Sequence, residues 1–339
     1  MVRRYFIQED QFQDQLNEHY QSLDDKSVLQ KFNENIQFVN NRYSVRLPWN
    51  EKVEALPSNY ILALSRLGSN LRRLKANGSL LTRYHDNFQE LLELGIIEKV
   101  DDWDPNSGHF LPHQAVLRAD KPDKLRIVFD GAARLSKSAL SLNHCLSRGP
   151  VLLPHIAGLL IRWRSYPIAI SADIEKAFLQ IDMDNLDREK TQFLWPEDPF
   201  SRNPLQNIVT YRFRRVPFGL ICSPFCLAGV LTHRFAKYAA EYPHLMDNVY
   251  VDNIIVGVDD SSKTLDTCKR LKQIVSDASM NLREFASNDY KTLMHLDSKD
   301  VESRVQVKLL GMIWNTVTDQ IKLSCLPFQP IVRSQNVMR

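Results

Sequence analysis

The chain has 339 residues, of which 44% are hydrophobic and 24% are charged, and this composition argues against a disordered chain or a fibre. No apolar run approaches the roughly 18 residues that a membrane-spanning helix needs, and the N-terminal stretch turns polar too soon for a signal peptide. Its 5 scattered cysteines give no disulfide framework and suit a reducing compartment. The sequence therefore predicts an intracellular globular protein, cytoplasmic or nuclear, with one large or two modest domains.

The charge is unevenly distributed, although the net charge is only +3. Residues 114–164 carry nine Lys and Arg against three Asp, and residues 201–240 carry six basic residues and no acidic one. Residues 241–300 instead carry eleven acidic residues against seven basic ones. Two basic stretches around an acidic segment are typical of a phosphate-binding groove with carboxylates at its floor, although ordinary scatter over a solvated surface gives similar counts.

The N-terminal half predicts two helices followed by a strand hairpin. Apolar residues recur at helical spacing over 58–74 and again over 80–92, with Gly95 just past the second run. Alternating residues predict strands at 113–118 and 124–129, joined by a polar turn. A helix is predicted over 153–163.

The C-terminal half predicts an antiparallel-dominated sheet with helices on one face. A buried strand runs into Asp173, and residues 248–258 indicate two apolar strands around Asp252-Asn253. Asp and Asn suit the tip of a two-residue hairpin because both tolerate positive φ. A strand over 208–216, helices from Ser223 and Thr264, and a strand pair over 305–314 and 320–323 complete an α+β fold.

Asp173 at a strand end and Asp252 at a hairpin tip can meet at the surface of the sheet. Carboxylates crowded together repel each other unless a cation lies between them. Mg²⁺ is the usual ion where oxygen ligands combine with phosphates, and two such ions can activate an attacking hydroxyl and stabilise a leaving pyrophosphate. Taken alone, two aspartates so far apart are a weak signal, and a strand-end Asp plus a turn Asp is the ordinary explanation.

Five ordered motifs strengthen the signal. Ser171-Ala-Asp-Ile-Glu-Lys-Ala-Phe178, then residues 216–224, then Tyr250-Val-Asp-Asn253 resemble the palm motifs of reverse transcriptases. Residues 124–130 resemble the fingers motif, and Lys308-Leu-Leu-Gly311 resembles the primer-grip region. The match is closest to the Bel/Pao group of long-terminal-repeat retrotransposons, and residues 43–49, 56–60 and 95–98 resemble the region that precedes the polymerase in that group.

The resemblance implies a right-hand polymerase of fingers and palm, with an antiparallel ferredoxin-like palm sheet and helices on one face. It implies an N-terminal extension over 1–78, fingers over 79–166 and a palm over 167–325. The palm includes a fingers insertion near 185–215 and the primer-grip region near 305–323. Residues 326–339 are expected to be a truncated tail, so we expect a fragment of a longer polyprotein.

The implied activity is RNA-directed DNA polymerisation, in which a primer 3′-hydroxyl attacks a deoxynucleoside triphosphate on an RNA or DNA template. Asp173 and Asp252 match the catalytic, metal-binding aspartates, and two Mg²⁺ ions are expected, with Mn²⁺ as the alternative. No membrane partner is implied, whereas other domains of the polyprotein are.

The resemblance also implies a nucleotide-binding set. Arg126 matches the fingers arginine on the triphosphate, where its planar fork suits phosphate oxygens, and Lys124 or Lys121 assists. Phe178 matches the aromatic residue that leaves no room for a 2′-hydroxyl. The turn under the nascent base pair is matched by Phe218 and Gly219.

Asn253 departs from the family pattern, which has a second aspartate at this position. Asn offers one neutral carbonyl oxygen and cannot neutralise charge. No nearby acid is an obvious substitute, because Asp259 and Asp260 lie farther along the strand and Glu175 is expected at the surface or on the fingers side. Either two full carboxylates suffice, or this copy is a catalytically decayed or repurposed nucleic-acid-binding relic. A structural subunit that uses the palm sheet for partner contact is a further alternative.

Overall fold

The computed structural model describes residues 23–118 and 121–323, and of residues 23, 118 and 121–124 it describes the backbone alone. The predicted tail at 326–339 lies outside the described residues. Two compact units make up the described chain. Unit 1 comprises the residues up to Leu152 together with Ile181–Gly229, and unit 2 comprises Leu153–Gln180 together with the residues from Val230 onward.

The described chain alternates short strands with helices. The α-helices are α1 (Leu23–Asn35), α2 (Tyr60–Lys75), α3 (Gly78–Glu93), α4 (Ile156–Arg164), α5 (Asn185–Arg188), α6 (Ser223–Ala236), α7 (Ser261–Ser276) and α8 (Tyr290–Leu293). The strands are β1 (Gln37–Val39), β2 (Arg42–Val45), β3 (Ile97–Lys99), β4 (His113–Arg118), β5 (Lys121–Phe129), β6 (Ile168–Ile174), β7 (Asp182–Met183), β8 (Gln192–Pro196), β9 (Ile208–Phe213), β10 (Val249–Tyr250), β11 (Asn253–Val258), β12 (Leu282–Ser287), β13 (Gln306–Leu309), β14 (Met312–Asn315) and β15 (Gln320–Leu323).

Unit 1 combines small sheets with the helices α2 and α3. The strand orders are β1-β2-β7, β3-β9-β8 and β4-β5. The two helices are those that the sequence predicts, and the side chain of Asn77 caps α3 by accepting from the backbone N–H of Leu80. The core beneath them is a cluster of buried rings: Tyr84, Phe88, His113, Phe129, Phe193, Trp195 and Phe213.

The segment before α2 is built into unit 1 through Asp187 of α5. This carboxylate is 1% exposed and accepts hydrogen bonds from Leu47 N at 2.7 Å and from Trp49 Nε1 at 2.8 Å. The Arg46 guanidinium pairs with it at 3.1 Å. Burying a charge costs free energy unless donors and an opposite charge compensate it. The segment over residues 46–49 is therefore a structural part of unit 1.

Unit 2 is built on an antiparallel four-stranded sheet of order β10-β11-β6-β12, which makes β6 a central strand. Helix α4 and a second antiparallel sheet, β13-β14-β15, share one apolar core with it. The buried residues of that core are Leu159, Trp163, Ala169, Ile255, Ala286, Val307, Leu309 and Trp314. The expected α+β class with antiparallel sheets is confirmed.

The segment that the sequence predicts as a strand pair over 305–314 and 320–323 forms a three-stranded sheet, β13-β14-β15. Leu310 and Gly311 adopt φ values of 49° and 80° and reverse the chain inside the segment predicted as one strand. Helix α7 begins at Ser261, three residues before the predicted start, because the Asp260 side chain caps it by accepting from Ser262 N. Among the described residues, no helix combines the length and the apolar character needed to cross a bilayer.

Candidate active site

Asp173 lies near the end of the central strand β6. It pairs with Asn253 of β11 on one side and with Arg283 of β12 on the other. Residues directly opposite each other in antiparallel strands point to the same face of the sheet. Asp173, Asn253 and Arg283 therefore share one face, which is the face that α4 and Trp314 cover at the other end of β6, near Ala169.

The hairpin that carries Asp252 reverses at Val251 and Asp252. Tyr250 pairs with Asn253, so the loop lies one residue earlier than the Asp252-Asn253 tip that the sequence predicted. That part of the prediction is wrong, and the physical reason is that Asn253 is held in the ladder opposite Asp173. Val251 takes the left-handed conformation in its place, with φ of 57°, which is unfavourable for a β-branched residue.

The backbone brings the two aspartates together. The N–H of Ile174, the residue after Asp173, donates to the carbonyl oxygen of Asp252 at 2.8 Å. This bond joins the end of β6 to the loop of the neighbouring hairpin. The strand-end Asp and the hairpin Asp therefore lie at the same end of the sheet.

Asn253 contacts the adjacent carboxylate. Its side-chain Nδ2 donates to Asp252 Oδ1 at 2.9 Å. An aspartate at this position would have no donor when ionised and would add a third negative charge beside Asp252 and Asp173. The amide thus orients the Asp252 carboxylate without adding charge to the site.

The site repels negative charge. Burial of the Asp173 carboxyl, followed by the charges of Asp252, Glu284 and Glu175, raises the pKa of Asp173 to about 7, while Arg283 acts in the opposite direction. A carboxyl with such a pKa is readily neutralised near pH 7 by a proton or a cation. Crowded carboxylates of this kind favour a bound cation.

Glu175 and Arg283 form a network beside Asp173. Glu175 Oε1 pairs with Arg283 Nη1 at 2.9 Å, and Asn281 Nδ2 donates to Glu175 Oε2 at 2.9 Å. The sequence placed Glu175 at the surface or on the fingers side, whereas the structure places it in unit 2 with both carboxylate oxygens engaged. Sequence reasoning also missed Glu284, which the strand irregularity between Arg283 and Ala286 and its φ of 52° bring toward Asp173. No periodic signal marks that irregularity.

The Phe218-Gly219 turn in unit 1 has a fixed backbone. Gly219 has φ of 96°, and a Cβ there would lie 2.4 Å from the carbonyl oxygen of Phe129, so this turn requires glycine. Asn143 holds the turn from both ends of its amide: Nδ2 donates to Gly219 O at 3.2 Å, and Ile221 N donates to Oδ1 at 3.0 Å. The Phe218 side chain is 46% exposed at this turn. Sequence reasoning missed Asn143, because nothing in a polar loop marks which amide reaches a distant turn.

The other predicted nucleotide-binding residues have different environments. Arg126 of β5 is exposed and lies opposite Val116 of β4. The side chains of Lys124 and Lys121 lie outside the described residues. Phe178 belongs to the 3-10 turn Ala177–Gln180 and is 8% exposed. Phe178 belongs to unit 2 with the aspartates, whereas Arg126, Phe218 and Gly219 belong to unit 1.

Asp173 and Asp252 fit a divalent cation by the chemistry of their donors. Carboxylate oxygens are the hard ligands that Mg²⁺ and similar ions prefer. Over residues 23–118 and 121–323, no cluster of three or more His, Cys, Asp or Glu side chains is arranged to hold a metal ion. Protein carboxylates would therefore supply part of the coordination, as in sites where substrate phosphates and water complete it.

Fold and site together define an α+β protein with an aspartate pair on an antiparallel sheet. The family model "Reverse transcriptase (RNA-dependent DNA polymerase)" matches residues 133–313, more than half of the chain. The chain belongs to the reverse transcriptase family. Domains of this family in general use divalent metal ions.

Two solved foamy virus structures are similar to this chain. The foamy viral protease-reverse transcriptase in complex with double-stranded DNA is 18% identical, with a TM-score of 0.47, and the match covers 67% of this chain and 32% of that one. The foamy viral protease-reverse transcriptase in complex with an RNA/DNA hybrid is 17% identical, with a TM-score of 0.48, covering 74% of this chain and 27% of that one. The chain thus spans about a third or less of the foamy virus chains that it matches.

Proposed function

We propose that this chain is the polymerising part of an RNA-directed DNA polymerase and extends a primer 3′-hydroxyl with deoxynucleotides. The single observation that carries the proposal is that Asp173 and Asp252 lie at the same end of the unit 2 sheet, joined through the 2.8 Å bond between Ile174 N and Asp252 O. Family membership over residues 133–313 supports the same reaction.

Asp173 and Asp252 are the residues that would hold the divalent ions, for which we propose Mg²⁺, with Mn²⁺ as a substitute. Bound ions of this kind supply charge neutralisation for the primer oxygen and the leaving pyrophosphate. Asn253 orients Asp252 through its 2.9 Å hydrogen bond. Two full carboxylates are then sufficient, and the decayed relic that the sequence left open is not favoured.

The residues that the family resemblance names are proposed to bind the nucleotide. Arg126 is exposed, as a guanidinium that meets a triphosphate must be. Phe178 is largely buried five residues after Asp173, which suits a rigid ring that excludes a 2′-hydroxyl. Phe218, exposed on a turn fixed by Gly219, would support the nascent base pair. Lys124 or Lys121 remains a proposed assistant of Arg126.

A primer on an RNA or DNA template is the proposed macromolecular partner. The basic residues over 114–164 and 201–240, apart from Arg164 whose guanidinium pairs with Asp319, would contact its phosphates. We further propose the extension, fingers and palm boundaries at 78, 166 and 325, and a Bel/Pao-type polyprotein as the source. The burial of Asp187 by residues 46–49 supports an extension that is folded with the polymerase.

Primer extension tests the proposal. Oligo(dT) on poly(rA) with dTTP and Mg²⁺ or Mn²⁺ should be extended by the chain, and Asp173→Asn should lower the rate at least about 100-fold. Asp266→Asn, an exposed aspartate on α7, is the matched control and should extend at the original rate. A folded chain that binds the primer and extends nothing would contradict the proposal.

A further inference from the structure

Asp319 lies in the turn between β14 and β15 and accepts four hydrogen bonds. Arg164 donates in bidentate fashion, Nη1 to Oδ1 at 2.6 Å and Nη2 to Oδ2 at 2.7 Å. Trp314 Nε1 donates to Oδ1 at 3.0 Å, and Asn288 Nδ2 donates to Oδ2 at 3.2 Å. Each carboxylate oxygen therefore has two donors, an arrangement with high directional specificity.

The donors to Asp319 come from elements that hold the catalytic strand. Arg164 ends α4, and Asn288 directly follows β12. Asn288 also accepts from Ala169 N at 2.8 Å and donates to Pro167 O at 2.9 Å. These two bonds fix the start of β6, the strand that ends near Asp173.

The apolar contact beneath Asp319 is close but weakly directional. The rings of Trp163 and Trp314 are both buried and meet edge to face, with centroids 4.8 Å apart. Apolar burial favours contact without fixing orientation, whereas a bidentate ion pair fixes two distances at once. The Asp319 contacts therefore add an angular constraint to the apolar core.

Asp319 is ionised at neutral pH. Burial acts to raise the pKa of its carboxyl, but the hydrogen bonds from Arg164 and Trp314 and the positive charge of Arg164 outweigh burial and hold the pKa below its ordinary value. Its φ of 53° is left-handed, which Asp tolerates better than most residues. The turn is therefore suited to an ionised Asp.

We propose that Asp319 is a positioning residue for the primer strand, which fixes the β13-β14 hairpin relative to the strand that carries Asp173. The hairpin turns at Leu310 and Gly311, within the segment 308–311 that resembles a primer grip. The inference rests on the proposed polymerase function. Its ligand is the 3′-terminal backbone of a nucleic-acid primer.

The test replaces Asp319 by Asn, which keeps the size of the side chain and removes the charge that Arg164 binds. In the full chain, D319N should lower kcat for primer extension about 10- to 100-fold, because small displacements of reacting groups have effects of this size. The dissociation constant of the primer–template should change less than about threefold, since phosphate contacts elsewhere dominate it. The fluorescence of 2-aminopurine at the primer 3′ end should differ from that with the original chain.

The control is Glu241→Gln, which breaks a bidentate pair of the same chemistry in unit 2, with Arg270 distances of 2.8 and 2.6 Å. It should leave kcat and the fluorescence unchanged. The double variant R164Q/D319N should be no slower than D319N alone, because both changes break one contact.

A folded D319N with the original kcat and fluorescence would overturn the inference. The inference would also be overturned if R164Q lowered kcat by the same factor in the D319N background as in the original chain. The fluorescence is read without turnover, so an original chain that extends no primer would refute the proposed function while this measurement still decides the role of Asp319. If D319N and E241Q have the same melting temperature, loss of fold cannot explain a lower kcat of D319N, and positioning remains as the cause.

Discussion

Asn253 donates its side-chain amide to the carboxylate of Asp252 across 2.9 Å while its backbone pairs with Asp173 on the central strand. One residue therefore holds the hairpin in register and orients the carboxylate beside it. An Asp in its place would keep the register but would lose the donor. The departure from the two-aspartate pattern thus has a structural role that its chemistry alone does not suggest.

The first prediction concerns Asn253. Asn253→Asp adds a negative charge beside Asp252 and opposite Asp173, so the Mg²⁺ concentration for half-maximal primer extension should fall several-fold. The same charge should lower the melting temperature of the metal-free protein by a few degrees, since like charges directly opposite destabilise a sheet. Asn253→Ala removes the donor without adding charge, so Asp252 loses the amide that orients it and the Mg²⁺ concentration for half-maximal extension should rise instead. An Mg²⁺ dependence that is identical in all three forms would contradict this explanation.

The second prediction concerns pH. The pKa of Asp173 is about 7 in the folded protein and near the ordinary value of 3.8 in the unfolded chain. The folded state therefore binds an extra proton between these values, and the ionised carboxyl destabilises the metal-free fold increasingly as pH rises toward 7. Asp173→Asn should raise the metal-free melting temperature at pH 8 by about 3–6 °C, which corresponds to roughly 1–2 kcal/mol after allowance for partial exposure.

This gain should be smaller at pH 5, where Asp173 is mostly protonated in the folded state. Asp266→Asn, at an exposed aspartate of α7, provides the control and should show no such pH dependence. Thermal melts in chelator at both pH values decide the matter. An equal gain in melting temperature at pH 5 and pH 8 would show that ionisation of Asp173 does not destabilise the fold.

The third prediction concerns the sugar. Phe178→Ala should raise the efficiency of ribonucleotide incorporation relative to deoxynucleotide incorporation at least about tenfold, because the ring that fills the space of a 2′-hydroxyl is removed. The substitution also truncates a buried side chain and should cost about 3 kcal/mol of stability. Leu179→Ala is a suitable control, since Leu179 is 7% exposed and adjacent. If both variants keep the original sugar preference, Phe178 is a core residue.

The fourth prediction concerns the turn at Phe218. Asn143→Ala removes both hydrogen bonds that hold Gly219 and Ile221, so the KM for the incoming nucleotide should rise about 5- to 10-fold with a smaller change in kcat. The loss of stability should be about 1–2 kcal/mol. Steady-state kinetics at saturating primer–template measure both parameters. A KM that stays at its original value would mean that the turn does not contact the nucleotide.

The strand into Asp173 and the helices α2 and α3 are predictable because alternation and helical spacing are local patterns. The hairpin tip was misplaced by one residue because Asp and Asn both suit positive φ, whereas the ladder with Asp173 decides which residues turn. Local propensity was overridden by long-range register at Val251.

The contacts of Asn143 and Asp319 are also long-range and could not be predicted from local patterns. Asn143 reaches a turn 76 residues away, and Asp319 meets an arginine 155 residues away. Spacing along the chain contains no signal for pairs at such separations. The motif residues could be named from sequence, whereas the residues that hold them in place could not.

Single-turnover incorporation of one deoxynucleotide onto an RNA-templated primer tests the central claim most directly, namely that Asp173 and Asp252 suffice with Asn253 beside them. The chain should incorporate the nucleotide in Mg²⁺, Asp252→Asn should do so at least about 100-fold more slowly, and Asp259→Asn, at an exposed aspartate at the far end of the same hairpin, should match the original rate. Incorporation by Asp252→Asn at the original rate would contradict the claim.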